Sequence, residues 1–329
     1  MAYSVDMSMV VEQLLVLFLT LGIGYAAMKF KAVTASFASG LSDFVLNITL
    51  PCLILSAALS SGTILTVPET LKIFGLNTLV YFFGCGIGVV TAFALRVPRA
   101  DRSMTTYMMA FANVGFMGFP VIAAIFGADG LFFAVIGNIV FNLMNFTLGL
   151  FLIQRSTRSL PDKENPPRVP AEWRSLRDRF GWLLKPGVIA SFLALILYFV
   201  KPDLPGVVTD TLEMVGQSTT PLAMILIGMS LSMIRFRDVF LDWRLYPFTL
   251  VKQLLLPLAL LPVFMFFTNN TLLIGVLTVL AGMPVATTSV LFAESYNANL
   301  PLATKATFIT TLSSMFTIPM LVWLLGNVV

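Results

Sequence analysis

The chain has no histidine, and its 2 cysteines, Cys52 and Cys85, fall in separate apolar segments. No Cys/His couple, disulfide framework or metal-ligand cluster is therefore suggested by spacing. Neither a GxxxxGKS/T phosphate loop nor a GxSxG elbow occurs, so nothing points to nucleotide hydrolysis or a serine nucleophile. The expectation is a protein with no cofactor and no metal, and not an enzyme. Charge is scarce as well: only 11% of the residues are Asp, Glu, Lys or Arg, too few to cover a water-soluble domain of 329 residues.

What fills the chain instead is hydrocarbon. Hydrophobic residues make up 58% and the mean hydropathy is +0.92, which identifies an integral membrane protein. Apolar runs recur near 8–28, 36–60, 71–95, 104–126, 130–153, 184–200, 207–233, 245–267, 271–293 and 303–326, each close to the length that crosses about 30 Å as a helix. This predicts an all-α polytopic membrane protein with ten transmembrane helices. A closed barrel would need shorter, alternating strands, which these continuous Leu, Phe, Ile and Met runs do not resemble. The first run follows MAYSVD, with neither a basic n-region nor a small-residue cleavage pattern, and is read as a retained helix.

With ten crossings, 17 of the 20 Lys and Arg fall on one side, an asymmetry that orients the chain. It predicts a multi-pass cytoplasmic-membrane protein with both termini outside and the polar loop 154–183 in the cytoplasm. The net charge of +4 then reports orientation, and no nucleic-acid partner is implied. That loop, rich in Pro, Arg and acids, reads as a linker between a first five-helix unit, 1–153, and a second, 184–329.

The halves repeat each other. DFVLNITLP, with Asp43, Asn47 and Pro51, is matched 170 residues later by EMVGQSTTP, with Glu213, Gln217 and Pro221. GFPV at Gly118 pairs with GMPV at Gly282, and FTLG at Phe146 with FTIP at Phe316. Because five is odd, the second unit enters the membrane with opposite polarity, giving two inverted repeats.

Pro120 and Pro284 stand in the middle of the fourth and ninth runs, each after a Gly-X step, and predict broken helices. A break exposes the amides of the following half-helix, an end carrying roughly half a positive charge. Two such ends meeting in the bilayer suit a carboxylate; ordinary kinks are the plain alternative. Asn113 precedes Pro120, while Asn138, Asn142 and Asn145 share one face of the fifth run. Interhelical hydrogen bonds of ~1 kcal/mol are their other use. Thr287 and Thr288 follow Pro284, with Thr310 and Thr311 in the last run, and each hydroxyl either meets a ligand or bonds its own helix. Asp43 and Glu213, with Asn47 and Gln217 beside them, lie far enough inside their runs for proton coupling or gating. Lys252 either snorkels to the headgroups or pairs with an acid or draws anions inward. Gly84, Gly86 and Gly88 are assigned to helix packing.

Four stretches, DFVLNITLPCLILSAAL, ANVGFMGFPVIAAIFGADG, GQSTTPLAMILIGMSLS and AGMPVATTSVLFAESYNAN, together resemble the auxin efflux carrier family, and the likeness runs along essentially the whole chain. Bacterial members are often described as malonate, malate or other organic-acid permeases. The resemblance implies a fold similar to bile-acid symporters and sodium/proton antiporters, with helices 4 and 9 crossing at their prolines. It also implies a scaffold of helices 1, 2, 6 and 7 that commonly forms a homodimer, and a moving transport domain of helices 3–5 and 8–10. Pro120 and Pro284 match the crossing prolines, and Asn113 and Asn142 match polar positions near the substrate site. The central loop is much shorter than in plant carriers, so regulation through it is not implied, nor is auxin in particular.

The resulting expectation is a secondary active transporter that moves a small organic anion, such as malonate, malate or an auxin-like acid, by elevator-type alternating access. Proton or sodium coupling would drive it. A passive anion channel and a membrane receptor or sensor are the alternatives, and the sequence offers little room for an output domain.

Overall fold

The computed structural model describes residues 7–62, 65–158, 184–202, 204–233, 241–296 and 298–328; from residue 159 the expected linker lies outside them. Among the described residues the regular structure is helical throughout. Seven helical stretches are long and apolar enough to cross a membrane: Glu12–Lys29, Ala35–Ser60, Val67–Ala94, Val114–Ser156, Gly206–Ser232, Leu245–Phe267 and Leu300–Gly326. Pro186–Val200 and Thr271–Ala281 are apolar but shorter. Val114–Ser156, at 43 residues, is about twice the length one crossing needs. Two helices meet inside it at Gly127, whose φ of 66° is a left-handed value that glycine alone adopts without strain.

Local chemistry sets several boundaries. Helix α1 is Met7–Lys29, α2 Ala35–Phe44, α3 Leu50–Ser60 and α4 Val67–Ala94. TVPE opens α4 as a capping box: the Thr66 hydroxyl accepts from the Glu69 N–H, and the Glu69 carboxylate accepts from the Thr66 N–H. Three helix ends are followed by a basic residue with positive φ, Lys31, Arg96 and Lys201, where cations favour the carbonyl end of the helix.

Three prolines are preceded by one specific form of irregular backbone. Residues Val45–Thr49, Val114–Gly118 and Val251–Leu255 are π-helical turns, and each ends two residues before a proline: Pro51, Pro120 and Pro257. In each turn the N–H just before the proline reaches back five residues: Leu50 to Val45, Phe119 to Val114 and Leu256 to Val251. The wider turn moves the preceding carbonyls out of the path of the proline ring and absorbs its missing N–H. Pro120 is thus the second residue of α6, Phe119–Met144, which runs through a π turn at Asn145–Gly149 into α7, Leu150–Arg158. Helices α9, Gly206–Gln217, and α10, Thr219–Ser232, adjoin at Ser218, whose backbone stays in the right-handed helical region; α8 is Pro186–Val200.

Packing is closest where glycines face a neighbouring backbone. A Cβ at Gly24 of α1 would overlap the Ile225 carbonyl of α10, and one at Gly228 would overlap the Leu21 carbonyl, so the two helices cross in backbone contact. Cβ atoms at Gly84 and Gly88 of α4 would lie 2.9 Å from the Cα atoms of Ala110 and Thr106, which belong to α5, Arg102–Ala110. Gly86, between them, has nothing within 4 Å. The expectation of close packing therefore holds for Gly84 and Gly88, one helical turn apart, and is corrected for Gly86, which points away from α5.

Candidate functional site

Two helix interruptions meet. The first is Phe111–Asn113, between α5 and the π turn at Val114. The second is 282–287, between α13, Thr271–Ala281, and α14, Thr288–Ser295. They cross as a single antiparallel bridge between Ala112 and Val285. The Asn113 N–H donates to the Pro284 carbonyl at 2.8 Å and the Ala286 N–H donates to the Phe111 carbonyl at 3.1 Å. Each stretch thus supplies the partners the other lost on leaving its helix, which lets irregular backbone exist among apolar helices. Pro284 lies within its break. The sequence placed the first break at Pro120; it falls seven residues earlier, because the π turn already accommodates the proline ring and leaves nothing there to break.

The last helix, α15 at Leu300–Val328, braces the crossing. The Val285 N–H donates to the Thr310 hydroxyl at 3.1 Å, and that hydroxyl donates to the Ala306 carbonyl at 2.7 Å. Thr310 is therefore engaged by the backbone of the crossing.

Beside the crossing lies a cavity of about 350 Å³. Asp43, Asn47, Asn113, Asn138, Asn142, Asn145, Thr287 and Thr288 all line it. The first residues of both half-helices, Gly115 and Phe116 on one side and Thr287 and Thr288 on the other, contribute to its wall. The leading N–H groups of a helix have no intrahelical acceptor, so both electropositive ends border one space. Asn113 is only 4% exposed, and among the described residues none hydrogen-bonds its side-chain amide. In the cavity wall such an amide can donate to, and accept from, whatever enters.

The three asparagines of the α6 face do different work. Asn138 donates to the Ser191 hydroxyl of α8 at 3.4 Å, Asn142 donates to the Asn138 carbonyl at 2.8 Å, and Asn145 accepts from the Tyr107 hydroxyl at 2.7 Å. Tyr107, fully buried, also bonds the Thr288 hydroxyl at 2.9 Å and stacks on Phe111 with ring centroids 4.7 Å apart. It ties the asparagine face to the second half-helix, and the sequence reading missed it. Its signal was faint, a lone phenol in TTYMMAF that has to find a partner once buried.

Lys185 also lines the cavity, its ammonium 5.2 Å from the Phe146 ring. From sequence it was only one of the 17 basic residues counted on one side of the membrane. Glu213 and Gln217 lie elsewhere: the Gln217 amide donates to the Glu213 carboxylate at 3.0 Å in an exposed i,i+4 pair. Pro120, Pro284 and Lys252 are outside the cavity wall as well. Lys252 does not snorkel; it is 0% exposed and donates to the Ala281 carbonyl at 3.4 Å. Among the described residues, no group of three His, Cys, Asp or Glu side chains is placed to hold a metal ion.

Comparison with known proteins places the chain in a family. The chain is 26% identical to "Uncharacterized transporter MJ1031" of Methanocaldococcus jannaschii, covering 95% of this chain and 98% of that one. It is 23% identical to "Uncharacterized transporter YfdV" of Escherichia coli K12, covering 92% and 93%. The family model described as "Membrane transport protein" matches residues 9–323. Multiple membrane-crossing helices, two relatives named as transporters and a match along nearly the whole length lead to one conclusion: the chain belongs to the membrane transport protein family, that of the auxin efflux carriers.

Proposed function

We propose that the protein is a secondary active transporter that binds a small organic anion, a mono- or dicarboxylate, at the crossing and carries it across the cell membrane by elevator-type alternating access. The observation that carries the reading is the unpartnered amide of Asn113 in a cavity that both half-helix N-termini border. At 350 Å³ the cavity falls in the range of roughly 300–1,000 Å³ typical of small-molecule sites. The half-helix ends and Lys185 favour negative charge, and the asparagine face offers donors to carboxylate oxygens.

In this reading, Val114–Ser156 counts as two crossings divided at Gly127, and the two shorter apolar helices count as one each, making ten. They form two inverted repeats of five. Helices 1, 2, 6 and 7 are the scaffold and form the homodimer, while helices 3–5 and 8–10 carry the site. The backbone contact of α1 with α10 supports a rigid scaffold. The basic loops lie in the cytoplasm and both termini outside.

The test is uptake of radiolabelled malonate into proteoliposomes. Saturable uptake with trans-stimulation, reduced about tenfold or more in Asn113→Ala at unchanged protein content, is expected. Uptake of the Asn113→Ala protein equal to wild type removes the site assignment.

A further inference from the structure

Residues 241–244, LDWR, reverse the usual arrangement of a loop. The apolar side chains turn outward, Leu241 74% and Trp243 61% exposed, and the charged ones, Asp242 and Arg244, line a cavity of about 260 Å³. Rings outward and charges inward suit a segment bordered by lipid rather than water. The cavity lies away from the crossing. Asp101, in its wall, just precedes α5, and the far end of that helix is roughly 14 Å off at 1.5 Å per residue.

Three membrane-length helices have an end here. Val67–Ala94 stops just before Leu95, while Leu245–Phe267 and Leu300–Gly326 begin at the wall with Leu245 and beside Pro301. The second of these comprises α11, Leu245–Leu250, the π turn, and α12, Leu256–Phe267. The cavity is therefore at the level of lipid headgroups, the depth that an exposed tryptophan such as Trp243 favours.

Its wall is braced, and its charges are left over. The Arg244 Nε donates to the Leu95 carbonyl at 3.2 Å, the Asn299 amide donates to the Asp101 carboxylate at 2.9 Å, and the Asp242 carboxylate accepts from the Arg244 N–H at 3.2 Å. Three chain segments are joined in this way. Yet Asp101, Asp242, Arg244 and Lys305, two acids and two bases around one space, form no ion pair with each other or with any other described residue. Opposite charges beside a low-dielectric slab attract strongly, and their separation leaves room for a ligand that meets both signs. The four sum to zero. A simple anion would leave the acids unanswered, whereas a zwitterion answers all four.

We propose that this cavity holds the headgroup of a zwitterionic phospholipid of the phosphatidylethanolamine type. The Arg244 guanidinium and the Lys305 ammonium receive the phosphate, and the carboxylates of Asp101 and Asp242 receive the primary ammonium. Size agrees, since 260 Å³ is just under the roughly 300 Å³ lower end of whole-ligand pockets and so takes a headgroup with its acyl chains outside. A primary ammonium has three N–H donors for the two carboxylates, and a quaternary one has none. The site is separate from the anion cavity and does not depend on which solute is carried.

The purified full chain is melted in detergent containing phosphatidylethanolamine, phosphatidylcholine, phosphatidylglycerol or free phosphoethanolamine, each shift being read against the same protein without additive. Phosphatidylethanolamine should raise the melting temperature by several degrees, the other two lipids by clearly less, and free phosphoethanolamine hardly at all. Equal rises with all three lipids, or an equal rise with free phosphoethanolamine, overturn the proposal. Lys305→Gln, which breaks no hydrogen bond to a described residue, should lose most of the response to phosphatidylethanolamine. Asp242→Asn keeps an oxygen for the Arg244 N–H and leaves the cavity net positive, so phosphatidylglycerol should then stabilise more than phosphatidylethanolamine. A merely structural role for these charges would lower the melting temperature and leave the order of the lipids as in wild type. An unchanged order in Asp242→Asn, or a full response in Lys305→Gln, overturns the proposal. Where Asp242→Asn does not fold, Lys305→Gln decides alone.

Discussion

The Tyr107 hydroxyl donates to the side-chain oxygen of Asn145 over 2.7 Å, and the same Tyr107 hydroxyl lies 2.9 Å from the Thr288 hydroxyl. One buried phenol thereby sets the position of an asparagine on one side of the cavity and of the leading residue of the half-helix on the other. Tyr107→Phe keeps the ring stack on Phe111 and strands both partners. Leaving a buried polar group unsatisfied costs about 1–3 kcal/mol, with the lower end expected among membrane helices. A measurably lower melting temperature and a higher KM for malonate are expected; an unchanged KM would mean that the bridge does not shape the site.

Asn113 offers an amide in which both a donor and an acceptor are free of protein partners. Asn113→Ala should reduce malonate uptake by about tenfold or more, matching the ~1.4 kcal/mol or greater value of a hydrogen bond to a charged group. Asn113→Asp, which sets a like charge against the substrate, should abolish uptake altogether. Equal uptake by the two variants would show that no anion approaches this residue.

Lys185 stands at the cavity with its ammonium over the Phe146 ring. Lys185→Met retains much of the side chain's bulk and removes its charge, so KM should rise several-fold while kcat changes little, and the loss should shrink as ionic strength rises. A fall in kcat at constant KM would assign the lysine to movement of the carrier instead.

Glu213 and Gln217 form an exposed i,i+4 pair away from the cavity. Pairs of this kind are worth about 0.2–0.5 kcal/mol. Glu213→Gln should therefore leave malonate uptake and its pH profile as in wild type. A shifted profile would restore the residue to a coupling role.

Gly88 and Gly86 make a matched control for helix packing. Gly88→Val forces a side chain against Thr106 and Met109 of α5 and should sharply lower the yield of folded protein, whereas Gly86→Val meets nothing within 4 Å and should be tolerated. The comparison is read by fluorescence-detected size exclusion in detergent. Equal yields would contradict the packing of α4 on α5.

The apolar runs that reported membrane helices were legible because partition into hydrocarbon sums over consecutive residues and depends little on what lies far away. Proline, too, announces itself locally, and each of Pro51, Pro120, Pro257 and Pro284 does mark irregular backbone. What kind of irregularity follows is not local. At Pro120 the helix survives by widening one turn, while the chain opens at Phe111–Asn113, where the second break offers the Pro284 carbonyl to the Asn113 N–H. The asparagines were found because identical polar groups at helical spacing in an apolar run share a face. Tyr107 and Lys185 were missed because neither belongs to a pattern, and only their partners from other segments give them a role.

Composition and hydrophobic spacing, then, were enough to put this chain in a membrane as a set of helices and to mark where their backbones are irregular, since those properties belong to short windows of residues. Tertiary structure alone chose which helix opens and which bends, turned Glu213 outward, and sealed Lys252 against the end of α13. Those outcomes depend on hydrogen bonds and dipoles supplied by segments distant in the chain, whose arrival no local window records.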